Sequence, residues 1–170
     1  MDLTFDITSQ NPVVKAIIEG SAPQLARLAA RSWSTSSSST GSGLEVLVAL
    51  SNNSDAEIAE AANETLQGEN PDELLIAAKA DETAPTVLAY LASQADANVR
   101  FRIALILNSN TPDEALAVLA ATTKDGPLLE LVALNQQRLS SFSQLIEAIL
   151  ENAGRTAEAE RRARETKKSF

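Results

Sequence analysis

The sequence predicts an all-α protein, an α-solenoid-like array of about ten short helices in antiparallel pairs with an irregular period. Among its 170 residues alanine and leucine dominate, and β-branched runs are scarce. Apolar positions recur at spacings of three and four, which is the period of a helix with one buried face. Only six glycines and six prolines interrupt this pattern.

An N-terminal helical pair is predicted within residues 1–31. Asn11 caps a helix that has Pro12 at its first position and Gly20 beyond its end, and a second helix runs from Ala22 to Arg31. Residues 32–43 are rich in serine and glycine and cannot bury enough apolar surface to become ordered on their own. We therefore expect a flexible loop there.

A helical-repeat body is predicted over residues 44–153. Its helices open with recognisable signals: a capping box at Ser54, Asn70 before Pro71, and a Thr111 cap before Pro112. The predicted helices that lack such a signal cover residues 44–51, 85–94, 97–107, 128–136 and 141–152. The helix over 97–107 is apolar nearly all round, which predicts a central position with burial on several sides.

The C-terminal residues 154–170 form a charged, basic helix or tail. They hold six basic and three acidic residues, which gives this segment a net charge of +3. Residues 1–153 carry a net charge of −12, and the whole chain carries −9. Glu158–Arg162 and Glu160–Arg164 are spaced as helical ion pairs. The plain interpretation is a solvated helix that complements the chain's own acidic surface. The alternative is a nucleic-acid-associated protein, with tail contacts through these side chains: Arg161, Arg162, Arg164, Lys167 and Lys168.

Composition excludes much chemistry. Without cysteine or histidine the chain has no disulfide, no thiolate nucleophile, no imidazole base and none of the usual zinc ligands. Three carboxylate pairs remain, Asp72-Glu73, Asp81-Glu82 and Asp113-Glu114, but each stands in or just before the first turn of a predicted helix, where the helix dipole favours negative charge. We therefore expect no enzyme and no cofactor, and a carboxylate- or Mg²⁺-dependent enzyme remains the disfavoured alternative.

The N-terminal residues are acidic and lack the order of charged and apolar regions that a secretory signal requires. No apolar stretch approaches the roughly 20 residues of a membrane-spanning helix. A cytoplasmic location without membrane insertion is the expectation.

Two segments repeat. Residues 83–92 and 111–120 share five identities in ten at an offset of 28, and Pro71-Asp72-Glu73 matches Pro112-Asp113-Glu114 at an offset of 41. Offsets of this size are typical of helical arrays.

The run from Asn108 to Ala120 resembles the Asn-x-x-Thr-Pro-x-Glu-x-Leu-x-x-Leu-Ala unit of bacterial short-helix repeat proteins, which are related to HEAT repeats and to the leucine-rich-repeat variant type. Residues 128–149 resemble the end of such an array. The resemblance covers residues 44–152 loosely and 108–150 best. It implies a helical array that binds other proteins, and it carries over no catalytic residue.

These observations predict a non-enzymatic protein–protein interaction or scaffold module. The expected partner is another protein, with a second copy of the chain as an alternative. The expected partner-binding surface is an exposed face with these residues: Arg100, Arg102, Gln136, Gln137 and Arg138. Replacing Arg102 and Arg138 with Glu is expected to weaken partner capture and to leave the thermal midpoint nearly unchanged.

Overall fold

The computed structural model describes residues 12–21, 23–32, 40–94 and 98–168. Within these ranges every regular element is an α-helix and no strand occurs, which confirms the all-α prediction. The described residues form twelve helices: α1 Pro12–Ile18, α2 Pro23–Ser32, α3 Thr40–Ser51, α4 Ala56–Gln67, α5 Pro71–Lys79, α6 Pro85–Gln94, α7 Val99–Leu107, α8 Asp113–Thr122, α9 Gly126–Leu134, α10 Gln136–Ser141, α11 Ser143–Glu151 and α12 Ala157–Lys167.

Contacts divide the chain into two compact units, Met1–Tyr90 and Leu91–Phe170. In the first unit α3 packs against α1, α2, α4 and α5, and α2 also packs against α4. The apolar residues of α3 lie on several of its sides, and residues 43–48 and 50 are all buried, with Leu44, Leu47 and Leu50 almost inaccessible to solvent. The hydroxyl of Thr65 on α4 donates to the carbonyl of Ala30 on α2 at 2.6 Å and fixes these two helices against each other.

The second unit is built around α8, α9 and α11. Helix α11 packs against α8, α10 and α12, and α9 packs against α7, α8 and α12. The core of this unit consists of apolar side chains from these helices: Leu116, Leu119, Leu128, Leu129, Val132, Leu139, Leu145, Ile146 and Ile149. Among the residues that the structure describes, no helix is long and apolar enough to cross a membrane.

Several predicted helix ends are confirmed. Asn70 caps α5 by accepting a hydrogen bond from the N–H of Asp72, and Pro71 occupies the first helical position. Gly20 follows α1 with φ of 75°, a conformation that glycine adopts more readily than other residues at a helix end. The predicted Asn11 cap lies outside the described residues.

Three predicted boundaries are corrected. Helix α3 begins at Thr40, inside the predicted loop, and residues 33–39 of that loop lie outside the described part of the chain. Helix α4 is capped by Asp55 rather than Ser54. Thr111 does not cap α8, because its hydroxyl donates backwards to the carbonyl of Leu105 at 2.6 Å and so satisfies the C-terminal end of α7.

The prediction that α7 is buried on several sides is wrong. Ala104 and Leu105 are the buried residues of α7, whereas Val99 is 48% and Leu107 66% exposed. An apolar sequence all round a helix permits burial on every side, but the number of neighbouring helices decides it. In the second unit α7 packs against α8 and α9.

Candidate protein-binding surface

The guanidinium of Arg138 joins α10 to the loop between α7 and α8. It donates to the carbonyl of Thr111 at 2.6 Å and to the carboxylate of Asp113 at 2.7 Å. It also donates to the carbonyls of Asn108 and Ser109. Five donors in a planar fork suit several acceptors at once. Arg138 therefore fixes the loop over residues 108–113.

This contact revises the expectation for Arg138. Its side chain is only 14% exposed, so it does not lie on an open face. Its replacement by Glu would leave four acceptors without their donor and place a carboxylate beside Asp113. The thermal midpoint is therefore expected to fall, whatever happens to partner capture.

Two exposed leucines stand close to this contact along the chain. Leu107 is the last residue of α7 and immediately precedes Asn108, whose carbonyl accepts from Arg138. Leu134 is the last residue of α9 and stands four residues before Arg138. Their side chains are 66% and 55% exposed. We call Leu107, Leu134 and the exposed Gln136 and Gln137 the leucine surface.

An exposed apolar area with a polar rim is typical of a protein-binding site. The two leucines supply the apolar area, and the two glutamine amides supply uncharged donors and acceptors beside it. Charged residues are depleted at the centres of protein interfaces, and the leucine surface contains none.

The structure places the other predicted residues of this surface elsewhere. Arg100 is exposed and lies near the N-terminal end of α7, about 10 Å along the helix axis from Leu107. Arg102 is half-buried, and its guanidinium donates to the hydroxyl of Thr123 at the end of α8. The five predicted residues thus divide into the glutamines of the leucine surface, two arginines engaged within the chain, and Arg100.

The basic residues of α12 are mostly paired. The predicted pairs Glu158–Arg162 and Glu160–Arg164 are confirmed, at 2.7 and 2.8 Å. The remaining pairs of this segment are Arg155–Glu160, Arg161–Glu158, Arg161–Glu165 and Lys167–Glu147. Lys168 is exposed and makes no ion pair with any residue that the structure describes. A phosphate backbone would have to compete with these carboxylates for the arginines.

The ion pairs also lower the pKa values of two glutamates of α12. Hydrogen bonds from Arg161 and Arg162 hold the pKa of Glu158 at about 2. Hydrogen bonds from Arg164 and Arg155 lower the pKa of Glu160. Glu158 and Glu160 therefore stay ionised further into acid than free glutamates do.

The carboxylate pairs predicted to serve helix ends lie where expected. Asp72-Glu73 and Asp113-Glu114 occupy the first turns of α5 and α8. Asp81-Glu82 is exposed in the connection between α5 and α6. In the described ranges, no group of three or more acidic side chains is arranged to hold a metal ion.

An open cavity of about 540 Å³ lies between α2 and α4 in the first unit. Three glutamates of α4, Glu57, Glu60 and Glu64, face it together with Arg31 of α2. The excess of carboxylates makes this cavity unfavourable for a phosphate or another anion.

Sequence reasoning missed the polar side chains that close the helix ends. Asn152 is buried at the end of α11, and its amide donates to the carbonyls of Ala120 at 2.7 Å and Thr123 at 2.8 Å. Asn152 and Asn108 end their helices with nearly the same backbone conformation, and each Oδ1 accepts from the N–H two residues on. The sequence does carry a signal for this kind of helix end, because each of these asparagines directly follows a helix that is rich in apolar residues.

A hydrogen bond from a threonine hydroxyl to a backbone carbonyl also occurs twice. The hydroxyl of Thr83 donates to the carbonyl of Ala77, and that of Thr111 to the carbonyl of Leu105, both at 2.6 Å. Donor and acceptor are six residues apart in both cases, and the two threonines stand at the offset of 28 found in the sequence. The sequence repeat thus coincides with a repeated hydrogen bond.

Comparisons with protein-family models, with curated proteins and with solved structures find no match to this chain. The resemblance to HEAT-like and leucine-rich-repeat-variant arrays therefore stays a prediction.

Proposed function

We propose that this chain is a non-enzymatic protein–protein interaction or scaffold module whose short helices stack as an α-solenoid-like array of antiparallel pairs. Helix packing in the second unit supports this proposal. Helix α8 packs against α11, while α9 packs against both α7 and α12. In a stack of helix pairs, equivalent helices of successive pairs lie side by side, and such contacts skip along the sequence in this way.

The repeated threonine bond is further support. Thr83 and Thr111 close equivalent connections, and the aligned positions that follow, Leu88 and Leu116, are both almost fully buried. Equal burial at equal positions is expected when each repeat contributes the same face to the core of its own unit.

The leucine surface is the observation that carries the functional proposal. Burying an exposed leucine side chain contributes about 1.5–3 kcal/mol. Two such side chains can therefore act as the anchor of an interface, with Gln136 and Gln137 at its rim. Arg138 joins α10, which directly follows α9, to the segment that follows α7, so these two parts of the surface are held in place before a partner arrives.

Partner capture by the tagged full-length chain from its own host tests the proposal. The variant carries Leu107→Glu and Leu134→Glu, which place charge at both anchors. The matched control carries Val118→Glu on α8, because Val118 is another exposed apolar residue of the same unit. All three side chains are exposed, so the thermal midpoint is expected to change little in either variant.

A protein recovered by the wild type and the Val118→Glu control but lost by the double variant is the expected result. Recovery of the same proteins by all three chains, or of none by the wild type, would contradict binding through the leucine surface.

A further inference from the structure

Helix α12 differs from its neighbours in the size of the side chains that it buries. It packs against α9, α10 and α11, yet its buried residues are Ala159, Ala163 and Thr166. Helices α9 and α11 each bury at least three leucine, isoleucine or valine side chains. Because hydrophobic stabilisation scales with buried apolar area, the side chains of α12 contribute less to its own attachment than those of its neighbours.

Most charges of α12 do not attach it to the rest of the unit. Glu158, Arg161, Arg162 and Glu165 pair with one another within the helix, and Glu160 pairs with Arg164 in the helix and with Arg155 in the segment just before it. The pairs within the helix remain formed when the helix moves as a whole. Among the described residues, Lys167–Glu147 is the ion pair that joins α12 to α11, and both side chains are about half exposed.

The segment just before α12 is held firmly. Asn152 is bonded to two carbonyls around the end of α8. Gly126 lies so close to this segment that a Cβ atom on it would stand 2.6 Å from Cγ2 of Thr156. A weakly attached helix thus follows a fixed connection.

We propose that α12 is a releasable cover. It swings away from α9, α10 and α11 as a unit, turning at its junction with the anchored segment near Thr156, while the rest of the second unit stays folded. Opening exposes apolar faces that the closed form keeps from water. This inference does not depend on the proposed protein-binding function.

Single introduced thiols test the proposal, because the chain contains no cysteine. Ala163→Cys places a thiol under α12, and the matched Ala120→Cys places one in α8, where it reports unfolding of the core. Both alanines are fully buried. Each full-length variant is mixed with a thiol-specific reagent at several low urea concentrations, and the labelling rate is measured.

The thiol at position 163 is expected to react at least about 100-fold faster than that at position 120. Its rate is also expected to depend less on urea, because opening exposes less surface than unfolding. Equal rates with equal urea dependence at both sites would overturn the proposal. If Ala163→Cys fails to fold, Thr166→Cys gives the same readout, and the same equality would overturn it.

The Lys167–Glu147 pair gives a second readout. In the Ala163→Cys background, Lys167→Met is expected to raise the labelling rate by about two- to fivefold. Lys168→Met is the matched control and is expected to leave the rate unchanged, because Lys168 has no ion pair within the described residues. Equal rates for the two lysine variants would overturn the role given to this ion pair in closing the cover.

Discussion

Asn152 offers a sharp test of how the second unit is held together. Its amide nitrogen donates to the carbonyls of Ala120 and Thr123, and its Oδ1 accepts from the N–H of Gly154 at 2.7 Å. The residue is buried, so little water can replace these bonds. Asn152→Asp keeps the side-chain volume but turns the donor into a carboxylate oxygen that faces two carbonyl oxygens.

The expected loss follows from these contacts. Two short buried hydrogen bonds contribute about 1 kcal/mol each, and buried carbonyls left unpaired cost about 1–3 kcal/mol more. The free energy of unfolding should therefore fall by about 3–5 kcal/mol at neutral pH, which is a large part of the roughly 5–15 kcal/mol typical of a domain. Once protonated, the introduced carboxyl group can donate to one carbonyl, so folding raises its pKa, and the loss should shrink as pH falls towards about 4.

Urea unfolding followed by far-ultraviolet circular dichroism at pH 7 and pH 4.5 measures this loss. The matched control is Asn135→Asp in the same unit. Asn135 is exposed and caps α10 with its oxygen, which accepts from the N–H of Arg138, and an aspartate can do the same. A loss below about 1 kcal/mol for Asn152→Asp, or equal losses in both variants, would refute the reasoning.

Three further predictions concern other contacts. Arg138→Met removes the donor of the 108–113 loop and should lower stability by about 2 kcal/mol, roughly 10 °C in thermal midpoint; an unchanged melting curve would contradict this. Gly126→Ala should cost about 1–3 kcal/mol by crowding, whereas Gly68→Ala, which meets only ordinary contacts, should be nearly neutral; equal urea midpoints would show that the crowding is relieved. The pKa of Glu158 is about 2, below its usual 4.5, so its ion pairs stabilise α12 fully above pH 4.5 and this stabilisation is lost as pH falls through 2. Arg161→Gln should raise the pKa of Glu158 in an NMR titration, and an unchanged pKa would contradict the pairing.

Local signals predicted local structure well. The cap at Asn70 and the proline after it set the start of α5 because both act within one turn of the chain. Helix α10 was missed as a separate element because its six residues are too few to show a period, and Leu139 is its single buried residue. The twelve helices of the described chain exceed the predicted ten or so partly for this reason.

Contacts between distant residues were beyond the sequence pattern. Arg138 donates hydrogen bonds to residues that are 25–30 positions away in the sequence. A single arginine in a polar stretch predicts a surface residue, so the sequence pattern did not indicate these contacts. The burial of Ala159 and Ala163 was not predicted either. Alanine has a small apolar surface and so gives a weak sequence signal for burial, yet its small side chain allows helices to pack closely. For the proposed surface, the sequence prediction included Gln136 and Gln137 and left out the exposed Leu107 and Leu134, since apolar residues are expected to be buried.

The affinity of a captured partner tests the central claim, protein binding through the leucine surface, most directly. Isothermal titration compares the wild type, the Leu107→Glu and Leu134→Glu double variant, and the Val118→Glu control. Loss of two buried leucines should weaken Kd by at least about 100-fold, because each tenfold change in Kd corresponds to about 1.4 kcal/mol. The control should bind like the wild type. Equal Kd values for all three chains would contradict the account.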